Sequence, residues 1–227
     1  MARILLFDVD LTLVKTLGAG RGALDQAFSD LFGIAEPTKG ILFDGRTDRA
    51  IFTEALDRHG LLDGDADGAF WHLANAYLER LPAWLRRSEG AILPGVRELL
   101  AALHETHPGV GLATGNIRRG ARAKLSHFGL WERFVGGGFG DERPVRADVV
   151  RAAIDDVAAA IGVDPDPNDT IIIGDTPLDA EAAHAAGARA LCVATGSYTV
   201  GQLEDGGADW ALPDLSDLDR ALAILRS

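Results

Sequence analysis

Acidic and hydroxyl side chains stand at the ends of three short apolar runs. Asp8 and Asp10 follow residues 4–7, Thr114 and Asn116 follow residues 110–113, and Asp175 follows residues 170–173, with Asp179 one helical turn further on. If these runs are parallel strands, the groups meet at one sheet edge, where the carboxylates repel one another unless a cation sits among them. An all-oxygen set suits a hard divalent ion such as Mg²⁺. Thr114 opens a turn towards a helix expected from about Asn116, so its hydroxyl and the free N–H groups beside it can hold a phosphate oxygen. The same groups would also serve a plain helix cap. A carboxylate nucleophile, a second carboxyl to move protons, and a metal with N–H donors to take up negative charge are the parts of a phosphoryl-transfer site.

The hydropathy pattern indicates the elements that position these groups. Residues 4–7, Ile-Leu-Leu-Phe, form a continuous apolar run that stops at Asp8, as a strand buried on both faces would. Residues 110–113, 170–173 and 190–194 repeat the pattern, ending in Thr114-Gly115-Asn116, Gly174-Asp175-Thr176 and Thr195-Gly196-Ser197. Between them, Val96, Leu99, Leu100 and Leu103 share one helical face, as do Val150, Ile154, Val157 and Ile161. Strand alternating with helix predicts an α/β fold, a three-layer Rossmann-like parallel-sheet core that binds ligands at the carboxyl ends of its strands. Residues 15–87 break the rhythm. They carry amphipathic helices (Ile51, Phe52, Ala55 and Leu56; Phe70, Leu73, Tyr77, Leu78 and Leu81) and no buried strand. The expected organisation is a core of residues 1–14 and 88–227 with an inserted helical cap of residues 15–87.

Asp8-Val9-Asp10-Leu11-Thr12, Thr114-Gly115-Asn116 and Gly174-Asp175-Thr176-Pro177-Leu178-Asp179 resemble, in order and spacing, the first, second and fourth motifs of the haloacid dehalogenase-like hydrolases. The resemblance covers essentially the whole chain and is strongest to the phosphoglycolate phosphatase-like members, whose helical cap follows the first strand. It implies that Asp8 is phosphorylated and that Asp10 acts as acid and then base. It also implies that Mg²⁺ is held by Asp8, the Asp10 carbonyl and Asp175 with support from Asp179, and that Thr114 grips the phosphoryl group. Two departures stand out. Position 11 is Leu where many relatives have Gly, and residues 138–148, where the third motif belongs, contain no lysine. Arg146 resembles the arginine variant of that motif and would keep Asp8 ionised; Arg143, before Pro144, is the other candidate.

In the insertion, Arg46 and Arg21 are candidate contacts to a second anionic group of the substrate, a task that suits a guanidinium fork. Thr47 or Asp48 reads as a helix cap. Residues 63–68 imitate the start of a calcium loop, but the twelfth position is Ala74 where a bidentate Glu is needed. The 34 acidic residues against 22 Lys and Arg give a net charge of −12 and a pI near 4.8. That field disfavours nucleic acid and anionic membranes as partners. No apolar run approaches the roughly 20 residues of a membrane span. Cys192 is the single cysteine, and an acid follows the opening apolar run at once, so a soluble, cytoplasmic protein is expected. Nothing in the residues specifies an oligomeric state. The expected activity is Mg²⁺-dependent hydrolysis of a small phosphorylated metabolite. A haloacid dehalogenase or phosphomutase of the same superfamily, or a catalytically silent phosphometabolite-binding protein, are the rivals. Asp10 speaks against the dehalogenase, because halide leaves unprotonated.

Overall fold

A computed structural model describes residues 3–62, 64–104, 106–141 and 143–226; Asp63 of the calcium-loop imitation and Glu142 of the third-motif segment lie outside them. The chain begins with β1 (Ile4–Phe7) and β2 (Val14–Lys15), followed by α1 (Ala19–Phe32), α2 (Asp48–Arg58) and α3 (Ala66–Arg87). It continues through β3 (Ala91–Ile92), α4 (Val96–His104), β4 (Gly109–Thr114), α5 (Arg118–His127), β5 (Gly137–Phe139) and α6 (Arg146–Ile161). It ends with β6 (Thr170–Gly174), α7 (Pro177–Ala185), β7 (Arg189–Val193), α8 (Val200–Asp205), β8 (Trp210–Leu212) and α9 (Leu218–Leu225).

Six strands form a parallel sheet in the order β5-β4-β1-β6-β7-β8. β1 lies in the middle, Leu5 pairing with Val110 on one side and Ile171 on the other, which is why its residues are apolar throughout. Its side chains alternate between two layers. Leu5 and Phe7 pack with Leu99, Leu103, Leu125 and Leu225, whereas Ile4 and Leu6 pack with Ile154, Val157 and Ala183. From β1 the chain builds outward through β4 and β5, then crosses back to build through β6, β7 and β8. The ends of β4, β1 and β6 thus flank the switch point where a crevice opens.

Helices α1 to α3 bury an apolar cluster of their own, including Leu24, Phe28, Phe52, Phe70, Leu73 and Leu81. The chain leaves and re-enters the sheet at adjacent points, because β2 and β3 pair antiparallel through Val14 with Ile92 and Lys15 with Ala91. The insertion is therefore held at its base by a two-stranded ribbon. Asp65 caps α3 by accepting from the Gly68 N–H at 2.9 Å, so this acidic loop serves a helix start.

Two details differ from the sequence expectations. α5 starts at Arg118, not near Asn116, because the Gly115 and Asn116 carbonyls are taken by the N–H groups of Asp48 (2.7 Å) and Gly140 (2.9 Å). β5 went unread because it is Gly137-Gly138-Phe139, and glycine is a weak strand former. The structure supplies the reason for glycine: a Cβ on Gly138 would lie 2.0 Å from the Val149 carbonyl oxygen, so α6 rests directly on this strand. Gly138→Ala is expected to push α6 outward and cost about 1–3 kcal/mol, the usual range for overpacking. Urea unfolding of the variant checks this; an unchanged midpoint would show that the helix has slack.

Candidate active site

β1 hands Asp8 to the crevice with its backbone fixed, since the Asp8 N–H continues the ladder to the Ile173 carbonyl at 2.8 Å. The next turn is tight. Leu11 has φ of 58°, a left-handed conformation in which a glycine would be unstrained, and its carbonyl is held by the Thr195 hydroxyl. Leu11 thus takes up in this turn a left-handed conformation that strains its backbone. Asp8, Asp175 and Asp179 place one oxygen each within 4.8 Å of one another, all three buried. Asp8 Oδ1 is buried without a hydrogen bond of good geometry.

Arg146, the first residue of α6, reaches into this cluster. Its Nη2 lies 3.1 Å from Asp8 Oδ1 and donates to Asp179 Oδ1. Arg143, the other third-motif candidate, does not line the crevice. The second Asp179 oxygen accepts from the Asp175 N–H (3.2 Å), the Thr176 N–H (3.0 Å) and the Thr176 hydroxyl (2.8 Å). Asp179 thereby fixes the turn that presents Asp175. With both Asp179 oxygens engaged, Asp8 and Asp175 have the freer lone pairs for a cation. A buried carboxylate oxygen that meets no well-aligned hydrogen bond and faces other carboxylates fits a hard divalent ion.

Asp10 lies apart from that cluster. Its Oδ2 accepts from Lys124 Nζ at 2.5 Å and from Asn116 Nδ2 at 2.8 Å. The Asn116 amide also donates to the Thr114 hydroxyl at 2.8 Å and accepts from Lys124 at 2.6 Å. Thr114 and Asn116 are therefore brought together with Asp10, at the end of the strand next to β1. Lys124 escaped the sequence reading, although a signal exists: it falls between Ala121 and Leu125 on the apolar face of α5, where a lysine is out of place.

The insertion closes over these groups through residues 43–49. Asp48 accepts from the Ile117 N–H at 2.8 Å, the Thr47 hydroxyl donates to the Pro144 carbonyl at 3.1 Å, and Arg49 donates to the Asp141 carbonyl at 3.2 Å. Thr47 is the cap of α2, accepting from the Ala50 N–H at 3.2 Å. A Cβ on Gly115 would lie 2.3 Å from the Arg46 carbonyl oxygen, so glycine is required where the two parts meet. Beneath this seam is a cavity of about 350 Å³. Lys15, Arg21, Arg46, Lys124 and Arg146 line it against Asp8, Asp10, Asp44, Asp48 and Asp175, a local balance that offsets the chain's net −12. Arg21 stacks over Phe43 at 4.2 Å and donates to the Ile41 carbonyl at 3.3 Å. Arg46 pairs with Glu54 at 2.6 Å and donates to the Leu42 carbonyl at 3.1 Å.

Burial dominates the electrostatics. It pushes the Asp8 carboxyl up, Arg146 opposing and Asp179 adding to the rise. It pushes Asp175 up to about 9, with Asp179 and Asp8 adding to it. Asp48 is pushed up to about 6 by burial against the pull of Lys124. For Lys124 burial acts downward, but Asp10, Tyr77 and Asp48 outweigh it and hold the ammonium charged.

The model of the haloacid dehalogenase-like hydrolases matches residues 5–184, and the chain belongs to that family. It is 30% identical over 226 residues to a phosphoglycolate phosphatase of Caulobacter vibrioides, covering 96% of this chain and 90% of the relative. A hydrolase from Pseudomonas syringae shares the fold with a TM-score of 0.73 at 22% identity, over 99% of this chain and 100% of that one. A variant of CbbY from Rhodobacter sphaeroides, solved in complex with xylulose-(1,5)bisphosphate, is 26% identical with a TM-score of 0.68, over 96% of both chains. No helix among the described residues is long and apolar enough to cross a membrane.

The raised Asp175 pKa has a consequence for stability. A carboxyl that ionises at about 9 when folded and about 4 when unfolded keeps its proton only in the folded protein across that interval. Its contribution is complete below about pH 4 and is lost as pH rises through about 9. A divalent cation must displace that proton, so the rise in melting temperature on adding the cation should be larger at pH 9 than at pH 6.5. Thermal melts with chelator and with cation check this. A gain independent of pH, or one that Asp175→Asn retains in full, would contradict it.

Proposed function

We propose that the protein hydrolyses a small phosphate monoester, with Mg²⁺, through a phosphoryl group carried on Asp8. The observation that carries this reading is the different surroundings of two carboxylates two residues apart. Asp8 is buried beside Asp175 and Arg146, its Oδ1 in an ion pair with the guanidinium at 3.1 Å but without a well-aligned hydrogen bond, whereas Asp10 faces the cavity with one oxygen engaged by Lys124 and Asn116. Environments that separate two carboxyls in this way separate nucleophile from proton carrier.

In the first half-reaction an Asp8 oxygen forms a bond to phosphorus as the bond to the leaving oxygen breaks, and Asp10 gives that oxygen its proton. In the second, Asp10 takes a proton from water, whose oxygen forms a bond to phosphorus as the bond from phosphorus to the Asp8 oxygen breaks, releasing phosphate and the Asp8 carboxylate. The Thr114 hydroxyl and the Gly115 N–H, at the end of the strand beside Asp8 and Asp10, are the donors this reading gives to the transferring phosphoryl oxygens. Arg146 keeps Asp8 able to ionise beside two further acids. Asp8, the Asp10 carbonyl and Asp175, with support from Asp179, would hold Mg²⁺, which when bound would supply neutralisation of phosphoryl charge. The cavity suits a small phosphorylated metabolite, and the relatives crystallised or named with such compounds support that class. Arg21 and Arg46, in the cavity wall, are the groups offered to the substrate's remaining polar atoms.

Purified protein should release phosphate from an aryl phosphate with Mg²⁺ and stop when the ion is chelated. Asp8→Asn should form no phosphoprotein, and Asp10→Asn should lower turnover by about 10²- to 10⁴-fold, the usual worth of a general acid. Mass spectrometry of quenched reactions is the check; phosphorylation of the Asp8→Asn protein, or full activity in chelator, would refute the assignment.

A further inference from the structure

Lys124 is a buried cation of the crevice to which the reaction above gives no role. An ammonium is costly to bury, and this one is only 6% exposed at its side chain. Its hydrogen bonds go to Asp10 Oδ2 and Asn116 Oδ1, both groups of the site, and it forms no ion pair with any other described acid. Among the described residues its direct partners are thus groups of the site, and Asp48 of the insertion meets its charge only through space. Cap helices α1 and α3 cover it, since a Cβ on Gly20 would lie 3.6 Å from Nζ and 3.9 Å from the Tyr77 hydroxyl.

We infer that Lys124 is a positioning residue for Asp10: with the Asn116 amide it binds one carboxyl oxygen so that the other is presented to the leaving group. The inference rests on the reading of Asp10 as the acid. Oδ2 already accepts from an ammonium and an amide, so it has no room for a proton; among the described residues no donor reaches Oδ1. The proton of the neutral acid must then sit on Oδ1, on the cavity side. As the bond from phosphorus to the leaving oxygen breaks, that proton moves from Oδ1 to the leaving oxygen. The carboxylate left behind is already paired with Lys124 through Oδ2. Without the ammonium, the Asp10 side chain can turn about its Cα–Cβ bond, and a misplacement near 1 Å costs about 10²-fold.

The test compares Lys124→Met, Asp10→Asn and the double variant on an alkyl phosphate, whose leaving oxygen needs a proton, and on 2,4-dinitrophenyl phosphate, whose leaving oxygen does not. A positioning role predicts that Lys124→Met lowers kcat about 10- to 100-fold on the alkyl ester, with at least tenfold less loss on the dinitrophenyl ester. It also predicts that the double variant is no slower than Asp10→Asn alone. Equal losses on both esters, multiplying with that of Asp10→Asn, would overturn the inference and leave Lys124 a structural residue. If Asp10→Asn itself shows no preference between the esters, the acid reading falls, and this inference with it. Should Lys124→Met fail to fold by circular dichroism, Lys124→Arg and Lys124→Gln decide by the same ratio. Arg, which keeps a charged donor, should retain more of the alkyl-ester rate than Gln; the reverse order overturns the proposal.

Discussion

Crowding acids into a buried crevice is the constraint on which the rest of the structure depends. Asp8, Asp175 and Asp179 converge within a few ångströms, and burial together with the neighbouring acids pushes the Asp8 and Asp175 carboxyls up. Arg146 answers this from one side, touching Asp8 and Asp179 together. Lys124 answers for Asp10 and Asp48 on the other. Each acid is set by what surrounds it: Asp179 is tied into the turn before α7, Asp10 is held by two donors, and Asp8 keeps an oxygen without a well-aligned hydrogen bond. Division of labour among like groups follows from unequal solvation and pairing, not from residue type.

The fold exists to make that crowding possible. A central strand with neighbours on both sides has no freedom in register, so the residues just past its end are delivered at fixed height. Glycines at Gly115 and Gly138 let the insertion loop and α6 approach the sheet more closely than a side chain would allow. The approach at Gly138 matters doubly, because α6 starts with the arginine that serves Asp8. The insertion adds what the sheet cannot, a partial roof that turns an open edge into a cavity of about 350 Å³.

Much of this was legible before any coordinates, and what was not has physical reasons. Strands β1, β4, β6 and β7 are continuous apolar runs because both faces are covered, and their ends are marked by abrupt acids and hydroxyls. Edge strands β5 and β8 have three residues each, and β5 is mostly glycine, so periodicity had nothing to act on. Lys124 was hidden because a lysine on an amphipathic helix ordinarily reads as solvent-facing, and only tertiary contact with Asp10 reveals its task. The same holds for Asp48, which reads with Thr47 as a cap of α2 but accepts from the Ile117 N–H just ahead of α5. Arg46 and Arg21 read as candidate contacts to the substrate, and the sequence does not show that Arg46 also pairs with Glu54 of α2 or that Arg21 of α1 also donates to the Ile41 carbonyl. Pattern along the chain locates elements and their ends; it does not show which partner a long polar side chain finds.

The claim that Arg146 governs the ionisation of Asp8 can be measured directly. Carbon-13 resonances of aspartate carboxyl groups, followed through a pH titration of the metal-free protein, report the Asp8 pKa in the wild type and in Arg146→Met. Removing the guanidinium leaves burial and the neighbouring acids unopposed, so Asp8 should titrate at clearly higher pH in the variant. An Asp8 titration that does not move, in a variant that stays folded, would contradict the account and show that the cluster is balanced by some other means.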